Sequence, residues 1–126
     1  MQTDTWELAN ESLQELRTAQ TELEQAQYPS CIAHCYQAVE KLLLAIWLDR
    51  REDEPPDTND IVRLAYEQGV LVGPWKTFLV WLGEYDPKFY EGDDAPTKTQ
   101  YDFEKTLELC AILRRRLGQD EPGLSR

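Results

Sequence analysis

His34 is the only histidine in the chain, and histidine is the side chain that most readily gives and takes a proton near neutral pH. Gln37 and Lys41 stand three and seven residues further on, which on a helix puts all three along one flank. Glu40 adjoins Lys41 but points about 100° away around the axis. Lysine offers a cation to a phosphate or carboxylate, and glutamate an acceptor to a hydroxyl or a base edge. His34, Gln37, Glu40 and Lys41 could therefore grip a polar ligand or a partner. No nucleophile with an orienting acid stands at a fixed spacing from His34, so triad-type catalysis lacks its components. The plain alternative is structural: a histidine satisfied between two helices, and Glu40 and Lys41 in an ion-pair network that sets helix register.

Other side chains carry the same double reading. Cys31 and Cys35 lie one turn apart around His34, but no Cys-x-x-Cys spacing occurs and zinc needs four ligands, or three and a water. With Cys110 they read as buried reduced thiols, so no metal and no cofactor is expected. Arg114, Arg115 and Arg116 suit the negative end of a helix dipole; together with Arg50 and Arg51 they could instead form a phosphate-holding patch. Asp60 is a first-turn acid, or the third member of a polar cleft with Glu40 and Lys41. Trp75 and Trp81 are expected at the core or its edge. Tyr85 and Tyr90, in an acidic stretch, are the surface aromatics able to stack on a base or meet a partner.

The elements that must position these groups are helical. Trp6, Ala9, Leu13, Leu16, Ala19, Leu23 and Ala26 recur at steps of three and four and predict a helix over residues 4–26. Tyr28-Pro29-Ser30 is expected to end it, with Ser30 capping a second helix to about residue 51. That second helix has a broad apolar face, as a central element would. Residues 52–56 read as a loop, and Asp57 to Asp60 as the cap of a short helix through Ile61, Leu64 and Ala65, stopped by Gly69. Trp75, Phe78, Leu79 and Leu82 mark a further short helix. Residues 84–96 read as a surface loop. Thr97 and Gln100 have capping-box spacing before a last long helix through Phe103, Leu107, Cys110, Leu113 and Leu117, with a frayed tail after Gly118. The expected fold is all-α: an antiparallel, up-and-down four-helix bundle with an additional short helix, in one domain over residues 1–126 with its core at about 4–117.

The net charge is −11, with an isoelectric point near 4.4. Such a surface disfavours duplex DNA, while a local basic patch keeps RNA or nucleotide open. The longest apolar tract, residues 42–48, falls short of a membrane span, and the first residues lack a signal-like pattern, so a cytoplasmic protein is expected.

The order of these features resembles the HEPN family of compact helical domains. Gln37, Ala38, Glu40 and Lys41 match a Gln-Ala-x-Glu-Lys segment on the second helix. Asn59-Asp60-Ile61 with Leu64 stands where members often carry a His-Asp-aliphatic triplet, and Glu84-Tyr85-Asp86-Pro87 resembles an Arg-Tyr-Pro-like turn. The family's ribonucleases place an arginine four to six residues before a histidine; here Arg17 is the closest arginine upstream of His34. The resemblance thus implies the noncatalytic branch, whose members dimerise or pair with small nucleotidyltransferase-like proteins, with nucleotide as a ligand and toxin–antitoxin pairs as a setting. The residues and the resemblance together make His34, Gln37, Glu40, Lys41, Asp60, Tyr85, Arg114 and Arg115 the candidate ligand- or partner-binding residues. The competing expectation is a ribonuclease toxin with a non-standard site made of His34, Lys41 and Glu40.

Overall fold

The computed structural model of the chain describes residues 3–50 and 58–118, the side chains of Thr3, Arg50 and residues 58–60 excepted. The expected loop at 52–56, the cap residue Asp57 and the tail after Gly118 lie outside the described residues. Among those described there is no strand. Three long helices, α1 (Thr3–Glu24), α2 (Tyr28–Arg50) and α5 (Ala95–Arg116), are joined by two short ones, α3 (Thr58–Glu67) and α4 (Gly73–Glu84), and by a 3-10 turn, Pro87–Tyr90. The all-α architecture is as the apolar periodicity predicts.

Pro29, expected to end a helix, starts one, and Pro74 and Pro96 do the same. Pro29, Pro74 and Pro96 each occupy the second position of a helix, where the missing N–H is one the helix leaves unbonded in any case. Ser30 is therefore inside α2 rather than its cap, and Thr97 inside α5. What closes α1 is Ala26 at φ 60°: the Gln27 N–H reaches back to the Glu22 carbonyl at 2.7 Å, in the manner of a left-handed helix stop.

α1 buries Ala9, Leu16 and Ala19 of the expected stripe, with Thr5 and Ser12 in the places expected for Trp6 and Leu13. Thr5, Ala9, Ser12, Leu16 and Ala19 are buried, whereas Trp6 is 53% exposed and Ala26 is exposed. Small residues allow close approach, and the Ser12 hydroxyl donates across the interface to the Ala38 carbonyl at 2.6 Å. α2 is the central element. Ile32, Cys35, Ala38, Val39, Leu42 and Ala45 have no exposed surface. By length and mean hydropathy (1.2 over Tyr28–Asp49) this helix could cross a membrane, but its apolar face is covered by the other helices of the bundle.

α5 buries Phe103, Cys110, Leu113 and Leu117 as expected, but leaves Leu107 41% exposed and buries Asp102 instead. The stretch expected as a surface loop holds the 3-10 turn, begun by the Asp86 carboxylate accepting from the Lys88 N–H at 3.0 Å. Its last residue, Tyr90, is only 1% exposed.

All three cysteines are fully buried. A hydrogen bond with Cys31 and then burial raise the Cys35 thiol well above its ordinary value. Burial, opposed by Arg114, pushes Cys110 up to about 12. Thiolate is the reactive form, so an aromatic disulfide reagent at pH 8 should label no thiol rapidly in the native protein and all three in guanidinium. A fast-reacting native thiol would contradict this packing.

Candidate functional site

α1 and α2 run antiparallel, and their polar seam is ruled in sevens. Glu15 and Glu22 on α1 face Lys41 and His34 on α2, so each pair of residue numbers adds to the same value. The Lys41 ammonium donates to Glu15 Oε1 at 3.0 Å. His34 Nδ1 is hydrogen-bonded to Glu22 and lies 3.0 Å from the Ser30 carbonyl. Both partners are acceptors, so Nδ1 carries a hydrogen. His34 Nε2 faces the other oxygen of Glu15 at 3.8 Å. The histidine is thus clamped between two carboxylates from the neighbouring helix. Gln37 lies exposed on the same helix.

Glu40 does not join this seam. It is half-buried near Tyr36, and no hydrogen bond to it occurs among the described residues. Burial raises its carboxyl above the usual range, with Lys41 pulling the other way. The Tyr36 phenol is also raised, by burial and then by Glu40 and Glu84. The Tyr36 ring packs closely on α4 because residue 83 is glycine: a Cβ there would come within 2.8 Å of the ring. Tyr36, Arg63, Lys76 and Glu84 line an open cleft of about 470 Å³ between α2, α3 and α4.

This unpaired, half-buried charge carries a testable cost. Protonated Glu40 is favoured in the folded state, so the wild type loses stability relative to Glu40→Gln as pH rises from below the ordinary carboxyl range through the raised value. At pH 7 Glu40→Gln should be the more stable, by less than about 0.5 kcal/mol after solvent screening. The gap should close at pH 3 to 4 in parallel thermal melts; a glutamine variant less stable at neutral pH would show an unseen partner for Glu40.

The other expected site residues are dispersed. The Tyr85 hydroxyl donates to the Pro29 carbonyl at 2.8 Å, and its ring stands edge-on to Tyr90 at 5.1 Å. It is a half-buried strut from the end of α4 to the start of α2, and burial raises its pKa. Neither Tyr85 nor Tyr90 is the surface aromatic that the acidic composition of its segment suggests. Tyr90 is the middle of a relay running inward from the surface: Trp81 Nε1 donates to the Tyr90 oxygen at 3.0 Å, and the Tyr90 hydroxyl donates to the buried Asp102 at 2.5 Å. Arg114 is buried at 5% exposure, while Arg115 is exposed. The side chains of Asp60 and Arg50, and Arg51 as a whole, lie outside the described residues. His34 and Lys41 are therefore brought together, through Glu15, and Glu40 faces elsewhere.

Glu15, Glu22, Tyr36 and Asp102 are the residues that sequence reasoning passes over. Two of them were findable: Glu15 and Glu22 share the spacing of His34 and Lys41, and an antiparallel hairpin must bring equal spacings opposite one another.

Among known proteins, the family model described as HEPN domain matches residues 5–118. No curated protein and no solved structure matches the chain.

Proposed function

Since the chain belongs to the HEPN domain family, we propose that it is a noncatalytic partner domain, one that pairs with a second copy of itself or with a small nucleotidyltransferase-like protein and takes nucleotide as its polar ligand. The observation that carries this reading is the clamp on His34. Both ring nitrogens face carboxylates or a carbonyl, and Lys41 is held by the same Glu15. RNA cleavage would need these groups turned toward a phosphate, and two carboxylates beside them repel one. A histidine in this setting fixes the α1–α2 register.

The surface supports a pairing role. Trp81 and Phe89 stack edge to face at 4.8 Å while remaining 39% and 36% exposed, and Tyr101 is 59% exposed. Exposed aromatics of this kind are enriched where proteins meet. Light scattering should give a defined dimer, or affinity purification from the native cells a complex with a small nucleotidyltransferase-like protein. A monomer that neither self-associates at micromolar concentration nor captures a protein of that kind overturns the proposal. So would RNA cleavage by the purified protein that disappears in His34→Ala.

A further inference from the structure

Arg114 is the one arginine of its cluster that the fold buries. Arg115 and Arg116 are exposed and suffice to complement the negative end of α5. Arg114 is 5% exposed, and its Nη2 is buried with no hydrogen-bond partner. No carboxylate among the described residues pairs with it. An unpaired guanidinium held out of water is costly, and such a group calls for an explanation.

Arg114 lines a groove of about 270 Å³ between α1 and α5, beside Arg17 and Gln20. Leu13, Leu16, Phe103 and Leu107 make the apolar walls, and Arg17 stands exposed at the rim. Leu107, which the α5 periodicity assigns to the core, is 41% exposed because it forms one side of this opening. An arginine among the apolar walls of a groove suits a single anionic group on an apolar body. The volume is below the roughly 300–1,000 Å³ of pockets for drug-sized ligands, so the body is short. Planar, forked donors favour a carboxylate.

We infer that the α1–α5 groove is a binding site for a small amphiphilic carboxylate, of the size of a medium-chain fatty acid, with its head group on Arg114 and its tail along Leu16 and Leu107. The site is on the face of α1 away from the His34 clamp and does not depend on the pairing role proposed above.

Calorimetry with the full chain and sodium octanoate tests it, with octanamide as the neutral tail and inorganic phosphate as the tailless anion. Octanoate should saturate one site per chain, and each control should bind at least about tenfold more weakly. Arg114→Met should cost octanoate about tenfold in affinity while leaving the melting temperature unchanged or higher, because it removes an unpaired buried charge; a merely structural arginine would lower it. If that variant does not fold, Leu107→Trp, which fills the slot from a half-exposed wall, should abolish binding by itself. The inference fails if octanoate gives no saturable heat, if octanamide binds equally, or if the variant that folds binds as the wild type does. It fails also if octanoate does not bind and Arg114→Met dissociates a dimer, which would give the carboxylate to a second copy of the chain.

Discussion

Ala38→Leu is expected to destabilise the fold by about 3 kcal/mol, lowering the melting temperature by roughly 10 °C for a chain of this size. Ala38 has no exposed surface, and its carbonyl receives the Ser12 hydroxyl from α1 at 2.6 Å. A larger side chain must push the two helices apart at that point. The damage then spreads along the seam, because the Ser12 bond, the Lys41–Glu15 pair and the His34–Glu22 pair all depend on the same interhelical distance. Two references isolate the effect. Ser12→Ala removes one hydrogen bond and should cost about 1 kcal/mol; Ala38→Gly keeps the spacing and should cost about 1 kcal/mol in helix propensity. Urea denaturation of the three variants gives the comparison, and a leucine variant no weaker than the other two would show that α1 has room to move.

Tyr90→Phe should cost about 2–3 kcal/mol, more than a surface tyrosine could. The substitution removes one oxygen, but that oxygen accepts from Trp81 and donates to Asp102, which is only 7% exposed. A buried carboxylate that loses its donor bears most of the cost. Replacing Asp102 by asparagine in the Tyr90→Phe background should recover part of the loss. The same relay predicts behaviour at high pH. Burial, and then Asp102, push the Tyr90 phenol well above its ordinary value, against Trp81. An unfolded tyrosine ionises near pH 10, so the stabilisation is complete below that pH and is lost as pH rises through the folded value. Stability should therefore fall more steeply above pH 10 in the wild type than in Tyr90→Phe. Parallel slopes would place the phenol in water.

Helix type and order were legible in the sequence because they rest on periodicity, which burial enforces along the whole length of an element. Boundaries were less legible, and Pro29, Pro74 and Pro96 show why: a proline that ends one helix and a proline that starts the next restrict the same residue before them. On α1 the periodicity marks Ala9, Leu16 and Ala19 correctly but favours Trp6 and Leu13 over the buried Thr5 and Ser12, because hydrophobicity selects the larger pair whereas the contact with α2 is decided by size. Tyr90 was hidden for a related reason. Its neighbours Asp86, Glu91, Asp93 and Asp94 are acidic and exposed, so local composition describes the rim of the turn and not the one ring inserted beneath it. Of the candidate site, the pairing of His34 with Lys41 on one flank was legible. The carboxylates that hold them, and the burial of Arg114 beside two exposed arginines, depend on contacts between helices distant in sequence.

The Tyr85 hydroxyl and the Pro29 carbonyl are joined across 56 residues, and that span bears on how the chain acquires its shape. The α1–α2 hairpin needs only its own short turn and can form early, since nearby segments find each other fastest. Its cysteine-lined face then waits for α5, synthesised some 45 residues later, which brings Thr106 and Cys110 beside Cys35. Until then the strut from Tyr85 has α2 to rest on, but the aromatic ring behind it, Tyr90, has no Asp102 to bond. Docking of α5 is thus the step that commits the chain. A nascent or truncated protein lacking it presents α2's apolar surface to other chains, the condition under which folding intermediates aggregate.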